Sequence, residues 1–191
     1  MQKIKKVLSI ISYYLVPLSL IVGALVVSQK GFGAENDLYG LYGNLAMILL
    51  VIIVFLKPLS QIFTWKWFKI GVAFRRQLGV AAFWCALFHG MLYVRLYDLF
   101  SLESFIGKGN TLYLLGVVGL IGMILLGITS NNFSVRLLKK RWKQLHYSVY
   151  GIFFVVLWHA GISQGHYFIA IGLGCAFIVL KYMAWKKVRK K

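Results

Sequence analysis

The chain has 191 residues, of which 60% are hydrophobic and only 14% charged, and its mean hydropathy is +0.77. This composition excludes an ordinary soluble globular domain and predicts an integral membrane protein whose surroundings are the lipid bilayer. The formal net charge of +18 would suit nucleic acid binding. In a membrane protein such charge fixes topology and attracts anionic lipids, so no nucleic acid partner is predicted.

Uncharged stretches alternate with clusters of basic residues, and each stretch is near the length of about 20 apolar residues that one membrane crossing needs. The first four predicted spans are residues 7–27, 38–56, 77–94 and 111–129. The next stretch, residues 144–180, contains no charge over 37 positions. As one helix it would be about 55 Å long, against a bilayer core of about 30 Å. Turn residues in 161–166 therefore predict two further spans, 144–161 and 167–184.

The basic residues predict the orientation of these spans, because loops rich in Lys and Arg stay cytoplasmic. Of the 22 Lys and Arg residues, 19 lie at the two ends of the chain and in the segments 57–76 and 136–143. All four acidic residues fall on the opposite side. The sequence thus predicts an all-α, six-helix bundle that forms a single domain over residues 1–191. We expect both termini in the cytoplasm and the bundle in the inner (cytoplasmic) membrane.

The loops between these spans are too short to hold a nucleotide-binding domain, and no glycine-rich phosphate loop follows a strand pattern. Any chemistry must therefore take place inside the bundle or with a second protein docked to it.

Two histidines fall at matching depth inside different predicted spans. His89 lies 13 residues after Arg76, about 20 Å along the third span, and His159 lies 16 residues after Lys143, about 24 Å along the fifth. Both spans run outward from the cytoplasm. Ionisable residues within a membrane are costly and face the bundle interior. Each histidine alone favours an interhelical hydrogen bond, whereas the matched pair also suits the two axial ligands of a b-type haem.

A third histidine, His146, lies at the cytoplasmic mouth of the fifth span, about 20 Å from His159 along the helix. It could serve a second haem, but the matching position on the third span is Arg76 rather than another ligand. Arg75 and Arg76 suit haem propionates or a flavin phosphate, because guanidinium groups pair well with such anions. The simpler interpretation of both arginines is charge that keeps this side cytoplasmic. His166 belongs to the outer turn, where a solvated structural role is expected.

Several segments carry a resemblance to the ferric-reductase-like transmembrane family, and within it to the bacterial MsrQ (YedZ) type of haem-binding membrane subunit. The segments, which span nearly the whole chain, are GFGAE at 31–35, PL at 58–59, RRQLGVAAFWCALFHGMLY at 75–93, TS at 129–130, KRWKQLHYSVY at 140–150, and His159.

The resemblance implies a b-type haem bound by His89 and His159, with His146 also involved, so that one haem or two are expected. It further implies FMN, and a donor that is either a cytosolic flavin reductase or a quinone. The implied acceptor is a periplasmic molybdopterin enzyme that reduces methionine sulfoxide. No acid–base or nucleophilic residue is predicted.

Two alternatives remain open from the sequence. One is a metal reductase that delivers electrons to ferric or cupric ions at the outer face. The other is a small proton or solute transporter in which the histidines form a relay. The latter would lack a carboxylate partner, because no acidic residue lies inside a predicted span.

Overall fold

A computed structural model of the chain describes residues 10–19, 32–96 and 111–189, together with residues 4, 7, 22 and 23. Every regular element within these residues is helical, as the composition predicts. A π-helical segment, Ile11–Leu15, comes first. Seven α-helices follow: α1 (Phe32–Ile62), α2 (Lys66–Leu96), α3 (Thr111–Ile128), α4 (Asn132–Leu138), α5 (Lys140–Tyr147), α6 (Val149–Ser163) and α7 (Tyr167–Arg189).

The described residues contain four stretches long and apolar enough to cross a membrane, which confirms a multi-pass membrane protein. They are Asn36–Ile62 in α1, the whole of α2, Lys140–Ser163 in α5 and α6, and the whole of α7. A fifth crossing exists if Leu112–Ile128 in α3 is counted with α4, which bends away from it by 93°. In the predicted first span, residues 8, 9, 20, 21 and 24–27 lie outside the described residues. Six spans and cytoplasmic termini therefore stay predictions.

Except for α3, the helices extend beyond the predicted spans, most of all at the start of α2. This helix begins at Lys66, whereas the predicted span begins at residue 77, so Arg75 and Arg76 lie within the helix. Similarly, α1 continues through Pro58 to Ile62. The reason is that hydropathy marks only the part of a helix that suits hydrocarbon, while backbone hydrogen bonding continues into the interface.

The core lies where α1, α6 and α7 meet. Leu50, Val54 and Phe153 are at most 2% exposed, and Phe177 of α7 packs with its ring centroid 5.6 Å from that of Phe153. Helices α1 and α2 pack against each other, and α3 packs on both α2 and α6. This arrangement gathers α1, α2, α3 and α6 around one interior volume.

The predicted turn between the last two spans is confirmed. Helix α6 ends at Ser163 and α7 begins at Tyr167. Between them, Gly165 has a φ of +69°, a conformation that glycine adopts without steric cost.

A second sharp turn joins α4 to α5 at Lys139. Its φ of 47° and ψ of −116° match the first central residue of a type II′ turn, which strongly favours glycine. A lysine there clashes through its Cβ, so this backbone conformation costs free energy.

We therefore expect Lys139→Gly to stabilise the protein by about 1 kcal/mol. The free energy of unfolding can be measured by denaturant titration in detergent micelles. Arg141→Gly removes the same charge from within α5 and should instead destabilise by about 1 kcal/mol. A destabilised Lys139→Gly variant would show that the lysine side chain stabilises the turn by more than the strain costs.

Candidate functional site

The structure brings the imidazole rings of His89 of α2 and His159 of α6 close together, in an edge-to-face arrangement. Their ring centroids are 6.4 Å apart and their planes are inclined by 76°. The depth estimate from the sequence thus correctly identified two side chains that meet, although they lie 70 positions apart along the chain.

Both imidazoles are oriented by the same kind of hydrogen bond. Nδ1 of His89 lies 2.9 Å from the carbonyl oxygen of Tyr39 on α1, and Nδ1 of His159 lies 3.0 Å from the carbonyl oxygen of Leu112 on α3. A carbonyl can only accept, so each Nδ1 must carry the proton and donate it. In a neutral ring the lone pair is then on Nε2, which is the arrangement typical of metal-ligating histidines.

A glycine follows each of these carbonyl groups by four residues and makes room for the imidazole. A Cβ at Gly43 would lie 2.7 Å from Nδ1 of His89, and a Cβ at Gly116 would lie 2.9 Å from Cε1 of His159. Both distances are too short for real contacts. Nothing in the sequence alone singled out Gly43.

The two histidines line a cavity of about 310 Å³, hereafter the paired-histidine cavity. Its walls are mostly apolar and include the glycine backbones of α1 and α3. The ring of Tyr39 stacks on that of His89, with the ring centroids 4.4 Å apart. One metal ion bound by both Nε2 atoms at about 2 Å each would put the ring centroids about 6 Å apart, which agrees with the observed separation. The described residues therefore fit a metal cofactor that the imidazoles of His89 and His159 would hold between mostly apolar walls.

His146 lies in a different cavity, of about 470 Å³, together with Arg75 and Arg76, hereafter the arginine cavity. Its ring stacks on Trp142 with centroids 4.0 Å apart, and its Nε2 lies 3.1 Å from the hydroxyl of Thr129. That hydroxyl donates its proton to the carbonyl oxygen of Leu125 at 2.7 Å, so Nε2 of His146 must be the donor to Thr129. The tautomer is therefore opposite to that of the paired histidines.

The two arginines have different surroundings. Arg76 donates from Nε to the carbonyl oxygen of Ser130 at 2.8 Å and from Nη1 to Oδ1 of Asn132 at 2.7 Å. Arg75, by contrast, has a buried Nε with no hydrogen-bond partner among the described residues. A buried donor of a charged group is costly to leave unpaired, so a ligand that accepts from Nε of Arg75 would remove this cost.

Only the thickness of side chains separates the two cavities. Leu50 and Met123 line both of them, and they are 2% and 5% exposed. Nothing in the sequence indicated this wall or the roles of Thr129 and Trp142 in orienting His146.

Residues 42–157 match the family described as ferric reductase like transmembrane component. This match covers more than half of the chain, including Arg75, Arg76, His89 and His146, and ends two residues before His159. The chain belongs to this family. The family resemblance found in the sequence is thereby confirmed.

Individual relatives are similar to the chain over most of its length. The protein-methionine-sulfoxide reductase heme-binding subunit MsrQ of Agrobacterium fabrum is 34% identical over 136 residues, covering 70% of this chain and 61% of that protein. The MsrQ of Rhizobium meliloti is 28% identical over 163 residues, covering 83% and 72%. The magnetosome protein MamZ of Paramagnetospirillum magneticum is 30% identical over 156 residues, covering 80% of this chain and 24% of MamZ. No solved structure matches.

The glycines beside the paired histidines provide a test of this geometry. Gly43→Ala should displace the His89 imidazole from the Tyr39 carbonyl and weaken metal-cofactor binding by about 10- to 100-fold, as loss of such supporting hydrogen bonds does. Haem titration of the purified chain, followed by absorbance, measures the change.

Gly40→Ala is the matched control on the same helix, because a Cβ there meets nothing within 4 Å. It should bind like the unaltered protein. Equal affinity of the Gly43→Ala and Gly40→Ala variants would show that the His89 orientation does not depend on this glycine.

Proposed function

We propose that the chain is a haem b-containing electron-transfer subunit of the inner membrane, with one haem in the paired-histidine cavity. The observation that supports this most strongly is the facing pair His89 and His159, each with Nδ1 held by a backbone carbonyl. Because Nδ1 is the donor in each ring, Nε2 is the nitrogen of each ring that would bind an iron. A hydrogen bond between the two rings would instead require one of them to carry a second proton, on Nε2.

A bound haem supplies one-electron chemistry, and the protein sets the conditions for it. His89 and His159 would hold the iron, and the carbonyls of Tyr39 and Leu112 keep both rings in the ligating tautomer. The apolar walls exclude water and keep the local dielectric low. Gly43 and Gly116 leave room beside the ligating rings.

We further propose that the arginine cavity receives the incoming electrons through a bound FMN. Arg75 supplies an unpaired buried donor for a phosphate, and the stacked rings of Trp142 and His146 offer an aromatic surface. A second haem is less well supported, because His146 is the only imidazole among the described residues that line this cavity. Electrons would then pass to the paired-histidine cavity through the thin wall of Leu50 and Met123.

The names of the relatives support the proposed acceptor, whereas the proposed donor rests on the family resemblance alone. Two of them are named as heme-binding subunits of a protein-methionine-sulfoxide reductase. We propose that this chain likewise passes electrons to a periplasmic, molybdopterin-containing methionine sulfoxide reductase, and that it receives them from a cytosolic flavin reductase or a quinol. The metal reductase alternative has no observation in its favour beyond the family description itself.

The haem proposal predicts a sharp difference among histidine variants. His89→Ala and His159→Ala should each abolish the low-spin b-type band in a dithionite-reduced minus oxidised spectrum, because either change removes an axial ligand. The pyridine haemochrome of the purified protein should fall in parallel from about one haem per chain.

His166→Ala is the matched control, since His166 is exposed in the turn between α6 and α7, and His146→Ala should also retain the haem. A colourless protein, purified after expression with ample haem, would contradict the proposal and favour a histidine relay.

Substitutions of the two arginines should change different properties, FMN affinity for Arg75 and the free energy of unfolding for Arg76. Arg75→Gln should weaken FMN binding by about tenfold or more, because a charge-assisted hydrogen bond contributes about 1.5 to 3 kcal/mol, while the fold stays intact. Arg76→Gln should lower the free energy of unfolding by about 1 to 3 kcal/mol, because it removes the hydrogen bonds to Ser130 and Asn132. Flavin fluorescence titration and denaturant unfolding measure the two effects. An unchanged FMN affinity in Arg75→Gln would argue against the assigned flavin site.

A further inference from the structure

Helix α4 turns sharply away from the helix that precedes it. Its axis is inclined by 93° to that of α3, whose composition suits the membrane interior. If α3 crosses the bilayer roughly along its normal, α4 lies in the plane of the membrane surface. Two contacts fix this turn: Oδ1 of Asn131 accepts a hydrogen bond from the amide of Ser134 at 2.7 Å, and Arg76 of α2 donates to Asn132 at the first position of α4.

The exposed side of α4 carries large apolar side chains. Phe133 and Leu137 are each 67% exposed, and their spacing of four residues puts them on the same face of the helix. Val135 is exposed to a lesser extent. Such a face is unfavourable in water but suits the boundary between lipid headgroups and acyl chains.

A cluster of exposed basic residues adjoins this apolar face. Its members are Arg136, Lys139, Lys140, Arg141 and Lys143. In the whole sequence no acidic residue follows Glu103, so this part of the chain supplies no carboxylate to neutralise the cluster. The neutralising anions must therefore come from elsewhere.

We propose that residues 132–143, hereafter the interfacial segment, form a binding site for anionic phospholipids at the membrane surface. The basic side chains pair with lipid phosphates, while Phe133 and Leu137 insert among the upper parts of the acyl chains. The combination of in-plane helix, apolar face and basic cluster favours a lipid over an acidic protein, which would account for the charge but not for the apolar pair. This site does not depend on a haem or a flavin.

The test uses the full chain in lipid nanodiscs, made either of phosphatidylcholine alone or of equal parts phosphatidylcholine and phosphatidylglycerol. Hydrogen–deuterium exchange reports on the amides of α4. We expect these amides to exchange at least about tenfold more slowly in the anionic discs. The reason is that each basic residue near the surface adds to the free energy of binding to anionic lipid. Amides of α1 should exchange equally in the two kinds of disc, which checks that the bundle is intact.

The doubly neutralised variant R136Q/K140Q should lose most of this slowing. The matched control is K66Q/K69Q, which removes two exposed charges at the start of α2. These two lysines are predicted to lie on the same side of the membrane as the interfacial segment. The control variant should keep the slower exchange in the anionic discs. Phe133→Ser combined with Leu137→Ser should accelerate exchange in both kinds of disc. Identical exchange of α4 in the two lipids, or equal losses in the two charge variants, would overturn the proposal.

Discussion

The hydrogen bonds from Nδ1 of His89 and His159 to helix carbonyls are the interactions on which the rest of the site depends. Within an α-helix, the carbonyls of Tyr39 and Leu112 already accept from the amides of residues 43 and 116, but each oxygen has a second lone pair. A side-chain donor can reach that lone pair because the residue four positions on is glycine and has no Cβ in the way. Four helices, α1, α2, α3 and α6, thus meet at two imidazoles whose tautomer is fixed.

The two cavities differ in the hydrogen bonds that their polar side chains have already made. In the paired-histidine cavity, both rings donate through Nδ1, so the lone pair of each neutral ring is on Nε2. In the arginine cavity, Nε2 of His146 is used by Thr129, and the free donor belongs to Arg75 instead. The first set of groups suits a metal between two nitrogens, and the second suits an anion beside an aromatic surface. One small bundle therefore offers two chemically different sites on either side of Leu50 and Met123.

The sequence predicted those features that depend on length along the chain. Charge clusters mark where spans begin, and the fixed rise per residue converts position into depth, so His89 and His159 could be matched and His146 separated from them. The sequence could not distinguish Arg75 from Arg76, because their difference depends on acceptors at Ser130 and Asn132, more than 50 positions away. Nor could it identify the tautomers, the importance of Gly43, or the strained backbone of Lys139, since each arises from contacts between helices or from a turn without a glycine.

The end of α3 explains why aromatic and basic residues gather at the arginine cavity. The last carbonyls of any helix lack amide partners, and near a membrane they must find other donors. The two carbonyls just after the end of α3 at Ile128 find such donors: that of Thr129 accepts from Nε1 of Trp142 at 2.9 Å, while that of Ser130 accepts from Arg76 and from the hydroxyl of Tyr13. These bonds join α2, α5 and the π-helical segment Ile11–Leu15 to the point where α4 turns away from α3. The residues that follow α3 therefore orient the surroundings of His146. They also set the direction of the interfacial segment, which links the cavity physically to the membrane surface.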